Sequence, residues 1–300
     1  MTLEVLHLTS DTLGAWVTRL SALERDISYP IDDGRDRFVL SHGAAYHPFF
    51  SQMGDAHFLL AVAGDELAGC IVGVRKRVDT PSGPVAGVYL ADLKVAAPFR
   101  GQGVPARLLT AALALWARSP RRLSWRFAFG AAMRGDRGDV MRAAKGLTPM
   151  KLGAAVATLD VYFVEPQRLA ALETAGAPTP MTGAGLDLSP AVTQDVVSTA
   201  GAKDFVLQST HAPWPLVHLP AGPARWRGSH AEYLARGGRA LVEAKAPGPA
   251  CFALDVRRGA ERDFLAGQGV RPGAVCTVYG FSTTRRTRGA AWVHLATSEI

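Results

Sequence analysis

Residues 89–116, YLADLKVAAPFRGQGVPARLLTAALALW, constrain this chain most, because they read as strand, glycine turn and helix in immediate succession. Residues 89–95 form the short, mostly apolar run that a strand requires. Pro98 cannot donate to a strand ladder, so the chain turns there. Arg100, Gly101, Gln102 and Gly103 then make a turn with two glycines and a cation that cannot be titrated away. Leu108, Ala112 and Leu115, with Leu109, Leu113 and Trp116 beside them, recur at helical spacing. Ser119-Pro120 ends the pattern. A helix N-terminus presents unpaired N–H groups and a positive dipole end, and glycines let backbone approach an anion closely. The layout therefore predicts a phosphate cradle.

The run Val95-x-x-Pro98-x-Arg100-Gly101-x-Gly103 resembles the acyl-CoA signature of the GNAT superfamily of N-acyltransferases. Its Arg/Gln-x-x-Gly-x-Gly/Ala pattern is met here as Arg100, Gly103 and Pro105 within RGQGVPA. The resemblance implies that Arg100, Gly101, Gln102, Gly103, Val104 and Ala106 hold the CoA pyrophosphate. It also implies that the main chain of Leu93 and Val95 holds the pantetheine arm. Pro105 departs from the pattern by standing where Gly or Ala is usual. It removes one N–H, yet the first turn of a helix is where that N–H has no helical partner.

The rest of the chain fits such a unit and a further one. Three hundred residues suggest one large or two ordinary domains, and 48% hydrophobic content allows a substantial core. Cys70, Cys251 and Cys276 are scattered among apolar neighbours, with neither a disulfide framework nor metal spacing. Buried thiols in a reducing cytosol are expected. MTLEVLHLTSD shows no basic segment followed by an apolar one, and no apolar run is long enough to span a bilayer, so the expectation is a cytoplasmic protein with no membrane partner. The net charge of +7 comes from dispersed arginines without a basic stripe, which argues against a specific nucleic-acid partner and suits an anionic co-substrate.

Residues 3–8 read as a first strand, and Asp11 or Thr12 as the cap of a helix through Trp16, Val17, Leu20 and Leu23. Residues 30–34 read as a loop and 38–50 as a helical patch carrying His42, Tyr46, His47, Phe49 and Phe50. By resemblance that patch lines the acceptor pocket; core packing is the competing reading. Residues 57–63 and 66–78 are strands joined by Gly64-Asp65, and 80–83 form a second turn. After the glycine-loop helix come a strand at 123–129, a short helix at 139–145 ended by Gly146, and a strand at 152–164. Residues 167–185, broken by Pro178, Pro180, Gly183 and Gly185, read as a linker. The expected organisation is a GNAT acyl-CoA-binding domain over 1–166, this linker, and a partial or degenerate GNAT-like domain over 186–300.

A candidate repeat supports that division. The order strand, helix, Gly146-Leu147-Thr148-Pro149, strand recurs as strand, helix, Gly269-Val270-Arg271-Pro272, strand near the chain end. The second half shows no RGQG. The fold class expected is α/β (α+β): a GNAT-like mixed, mostly antiparallel central sheet flanked by helices, plus a second, smaller GNAT-like α/β unit.

Acyl transfer to an amine needs a neutral amine, a polarised thioester and a proton for the leaving thiolate. Asp92 is the best-placed carboxylate. It stands where relatives with an acidic pair carry their second acid, with Ala91 in the place of the first. Base, amine anchor and strand-end acid all remain open for it. The tyrosine that protonates the thiolate in many relatives falls at Arg142, which leaves Tyr89, equally readable as core packing, or water. Asp136 and Asp139 read as a turn residue and a helix cap.

The resemblance thus implies an acyl-CoA-dependent N-acetyltransferase. It would act on a small-molecule or peptide primary amine, with acetyl-CoA or another acyl-CoA as co-substrate and no metal. Transfer is direct, since no nucleophile signature is present. Arg142, Ala91 and Pro105 carry a second reading, a non-catalytic CoA-binding or structural GNAT-like protein.

Overall fold

The computed structural model describes residues 2–31, 35–118, 125–135, 138–139, 154–179, 183–282 and 289–300. Along the first part of the chain run β1 (Glu4–Thr9), α1 (Val17–Arg25), β2 (Ser28–Ile31), β3 (Asp36–Ser41), α2 (Pro48–Ser51), β4 (Asp55–Ala63), β5 (Glu66–Thr80) and β6 (Gly83–Val95). Next come α3 (Val104–Arg118), β7 (Trp125–Gly135), β8 (Gly138–Asp139), β9 (Ala154–Val164) and α4 (Pro166–Ala170). The remainder forms β10 (Leu186–Asp187), β11 (Val197–Ser198), β12 (Asp204–Leu207), β13 (Pro213–Trp214), β14 (Val217–His218), α5 (His230–Glu243), β15 (Ala250–Asp255), α6 (Gly259–Gly267), β16 (Ala274–Ser282) and β17 (Val293–His294).

The spine is one sheet in the order β1-β4-β5-β6-β7-β16-β9-β15-β14-β11. Its pairs are antiparallel except β6 with β7 and β14 with β15 along this path. Period-two alternation sorts its side chains into layers. On β4, Leu59, Ala61 and Ala63 face the core under α3, while Phe58, Leu60 and Val62 face the larger core with Tyr46, Phe49 and Phe50. Glycines on β5 let α3 lie close. A Cβ at Gly73 would come within 2.8 Å of the Trp116 ring, and one at Gly69 within 2.9 Å of Val104. Leu108, Ala112 and Trp116 are buried there, each large side chain contributing about 2–3 kcal/mol.

The sheet does not stop at the middle of the chain. β16 inserts between β7 and β9, and β9 lies between β16 and β15. The last two strands of each candidate repeat are therefore interleaved, so each half completes the other. Leu169 and Leu172, in the segment expected to be a linker, pack with Leu234, Leu241, Phe252 and Leu265 in a core of the second half.

A smaller sheet in the order β13-β12-β3-β2 also joins the halves. This corrects the expectation of a helical patch over 38–50. The chain is strand to Ser41, Gly43 and Tyr46 take left-handed φ values of 67° and 63°, and only residues 48–51 are helical. The partner strand β12 lies some 160 residues away, so no local signal announces it. Pro30 and Ile31 sit in β2 rather than a loop. The helix expected at Asp11 or Thr12 begins at Val17, after two 3-10 turns. Ser119-Pro120, Asp32-Asp33-Gly34, Asp136, Arg142 and Gly146-Leu147-Thr148-Pro149 lie outside the described residues, as does the side chain of Asp139.

Candidate active site

β6 and β7 pair in parallel from Ala86–Trp125 to Leu90–Gly130 and then part. Residues 91–95 thus leave one side of their backbone without the β7 ladder. On the other side the β5–β6 register shifts between Cys70–Lys94 and Val72–Ala91, so two residues of β6, Asp92 and Leu93, oppose Ile71 alone. This is a β-bulge, and Asp92 takes the left-handed φ of 55° that aspartate tolerates better than most residues. The extra residue reverses the alternation. Leu90, Leu93 and Val95 face the α3 core, whereas Tyr89 and Ala91 face the opposite one. Asp92 and Lys94 consequently point to the α1 and α2 side.

There they meet a buried polar chain. Lys94 Nζ lies 2.6 Å from Asp92 Oδ1 and 2.9 Å from Glu24 Oε1. Glu24 also pairs with the His42 ring and accepts from the His42 N–H at 3.1 Å. Tyr46 donates its hydroxyl to Asp92. Cys70 donates to the Asp92 carbonyl at 3.4 Å. Burial opposes ionisation of Asp92, but the Lys94 and His42 charges and these hydrogen bonds bring it down to about 2. Burial likewise opposes the charge on Lys94, and Asp92 and Glu24 overcome it, raising the ammonium. Burial pushes the Tyr46 hydroxyl well above its ordinary range. The ligand atoms of Glu24, His42 and Asp92 lie within 4.8 Å of one another, but the ammonium of Lys94 bonds both carboxylates and supplies the cation itself.

Beyond Val95 a 3-10 turn at Ala97–Phe99 leads to Arg100, Gly101, Gln102, Gly103 and α3. Gly101 and Gly103 hold φ of 80° and 76°, and a Cβ on either would meet nothing within 4 Å. Residues 101–103 of the turn are exposed. Gln102 ties it by donating to the Pro98 carbonyl at 2.8 Å, and Arg107 N–H to the Gly103 carbonyl at 3.1 Å. Pro105 is the second residue of α3, where its missing N–H costs no helical bond. Val104 is buried as a side chain, so its contribution toward a ligand is confined to backbone.

The sequence-derived candidates therefore fall in three places. Arg100, Gly101, Gln102, Gly103, Val104 and Ala106 gather at the glycine turn, and Leu93, Val95 and Asp92 at the parted strand. Tyr89 stands apart. Its ring is stacked on Phe129 at 5.0 Å, only 3% exposed, with its hydroxyl pushed far up by burial. The structure makes it core and brings Tyr46 to Asp92 instead. Glu24 and Lys94 escaped the sequence reading; a lone buried-run lysine at 94 after an aspartate two residues before it is the one local hint.

The second half repeats the layout. β14 and β15 run parallel, a 3-10 turn at Pro223–Arg225 follows, Gly228 has φ of 96°, and α5 begins. No RGQG motif marks this turn, and its cradle is filled. Ser229 caps Glu232 N–H at 3.2 Å, Glu232 accepts from Ser229 N–H at 2.6 Å, and a Cβ on Gly228 would sit 1.8 Å from Glu232 Oε2.

No family model and no curated protein sequence matches the chain. Solved structures do. A tandem GNAT protein from the clavulanic acid biosynthesis pathway aligns at a TM-score of 0.54 and 12% identity, over 94% of this chain and 99% of that one. Saccharomyces cerevisiae N-myristoyltransferase with bound myristoyl-CoA aligns at 0.54 and 9%, over 100% and 83%. A putative acetyltransferase from Pyrococcus horikoshii aligns at 0.50 and 10%, over 99% and 95%. The fold is that of a tandem GNAT protein, an architecture shared with acyl-CoA-dependent acyltransferases.

Proposed function

We propose that this chain is an acyl-CoA-dependent N-acyltransferase, most simply an acetyltransferase, that acts on a primary amine by direct attack in a ternary complex. One coincidence carries the reading: strand parting, bulge and open glycine turn lie consecutively on residues 90–104. The turn offers the N–H groups of Gly101, Gly103, Val104 and Ala106, with the Arg100 charge, to a pyrophosphate, while Gln102 N–H donates within the turn to the Phe99 carbonyl at 3.3 Å. The main chain of Leu93 and Val95, freed from β7, holds the amide-bearing arm. Bound there, acyl-CoA supplies the thioester whose carbonyl the amine attacks; the C–N bond forms, the C–S bond breaks, the amine sheds its proton and the departing thiolate gains one.

Asp92 suits the role of amine anchor better than that of base. A carboxylate held near 2 stays ionised and attracts an ammonium, but it takes up a proton poorly at neutral pH. Water accepts the proton in this scheme. The N-terminal unit 1–166 carries the acyl-CoA site, and 186–300 completes its sheet and walls the acceptor side.

The test is thiol release from acetyl-CoA with a panel of primary amines. Amine-dependent release supports the proposal. Acetyl-CoA binding without release under any amine would favour a non-catalytic CoA-binding protein, a reading that Asp92's tight pairing and Tyr89's burial keep alive.

A further inference from the structure

Three buried lysines occur among the described residues: Lys76, Lys94 and Lys203. Lys76 pairs with Glu299 at 2.5 Å and Lys94 with Glu24 and Asp92. Lys203 is 4% exposed, its ammonium makes no ion pair with a carboxylate among the described residues, and its Nζ is not one of the fully buried polar atoms left without a partner. It rests on the faces of Phe49 at 4.7 Å and Phe205 at 5.5 Å. Burial lowers it to about 8, with Asp92 drawing it up and Lys94 pushing it down, so it stands within electrostatic reach of the bulge.

The fold holds it there deliberately tightly. Thr199 accepts the Lys203 N–H at 2.7 Å through its carbonyl and donates its hydroxyl to the Lys203 carbonyl at 3.0 Å. The Gly201 carbonyl lies so near Gly43 that a Cβ there would be 2.2 Å away. Lys203 and His42 are the residues next beyond the Asp204–Ser41 pair of the small sheet. Thus the second half extends a segment across the first and sets the Lys203 ammonium, seated on Phe49 and Phe205, beside the Glu24–Lys94–Asp92 chain. An ammonium held on two aromatic faces without a carboxylate partner keeps its donors for an anion.

We propose that Lys203 binds the carboxylate of the acceptor, so that the acceptor is a zwitterion of the amino-acid type, its ammonium toward Asp92 and its carboxylate toward Lys203. This rests on the acyltransferase reading above and names its substrate class. Lys203 is here a specificity-determining residue that touches the acceptor.

The experiment measures thiol release from acetyl-CoA with the common amino acids and their carboxamides, for the native protein, Lys203→Met and Lys203→Arg, with acetyl-CoA affinity and thermal midpoint recorded for each. A charge-assisted hydrogen bond predicts that kcat/KM for the best amino acid exceeds that of its amide by about tenfold or more. Lys203→Met should bring that ratio to near one through KM and leave acetyl-CoA affinity unchanged; Lys203→Arg should keep a preference. A lysine that is only structural would lower the midpoint on truncation and leave the ratio alone, which would overturn the proposal. Equal turnover of acids and amides, or acetyl-CoA binding with no amino acid turned over, also overturns it while the acyl-CoA site stands. Absence of acetyl-CoA binding overturns both.

Discussion

Asp92 and Lys94 hold their places only as a pair. Removing the ammonium would leave Glu24 and Asp92 buried without the cation that bonds both of them. Lys94→Met should therefore destabilise the protein by about 3–5 kcal/mol, read by chemical denaturation. The native pair also sets an acid limit. The folded value of Asp92, about 2, lies below its ordinary 3.8, so its contribution is fully present above the ordinary value and is lost as pH falls through the window between them. Stability measured from pH 5 down to 2 should fall more steeply in the native protein than in Asp92→Asn; parallel curves would contradict the assignment. This pair was only half legible in the sequence. Asp92 stands out as an acid on an apolar strand, but strict alternation would send Asp92 and Lys94 toward α3. The bulge that turns them around depends on pairing with β5, which no local pattern records.

The strand-turn-helix of residues 83–118 was the most readable element, because each of its signals is local: apolar run, prolines, two glycines, helical periodicity. What the sequence hid was how α3 docks. Gly73 lies under the Trp116 ring, and Gly73→Ala should cost about 1–3 kcal/mol through overpacking, measured as a fall in the denaturation midpoint. At the glycine turn, Gly103→Asn should keep most acetyl-CoA affinity, since asparagine tolerates the left-handed conformation, whereas Gly103→Glu should abolish it by adding a carboxylate to an anion cradle. Equal affinity in the two variants would detach the turn from CoA. Residues 38–50 look helical in sequence because the strand partner of β3, β12, comes from the other half.

At the scale of the whole molecule, the two halves share strands rather than merely touch. β16 closes the gap between β7 and β9, so a fragment of residues 1–185 lacks the strand its own sheet needs. That fragment should fail to fold alone and recover structure when mixed with residues 186–300; an independently folded, cooperative fragment would contradict the shared-sheet account. The repeat was visible as a short Gly-aliphatic-x-Pro echo, but the interleaving was not, since strand order is a property of long-range pairing. The same doubling sets the number of acyl-CoA sites per chain. One half has an open glycine turn, and the other fills its turn with the carboxylate of Glu232. The most direct test is calorimetric titration of the full chain with acetyl-CoA, beside Gly103→Glu. The account predicts one site per chain, lost in the variant. Two sites, no site, or a single site that survives Gly103→Glu would contradict it.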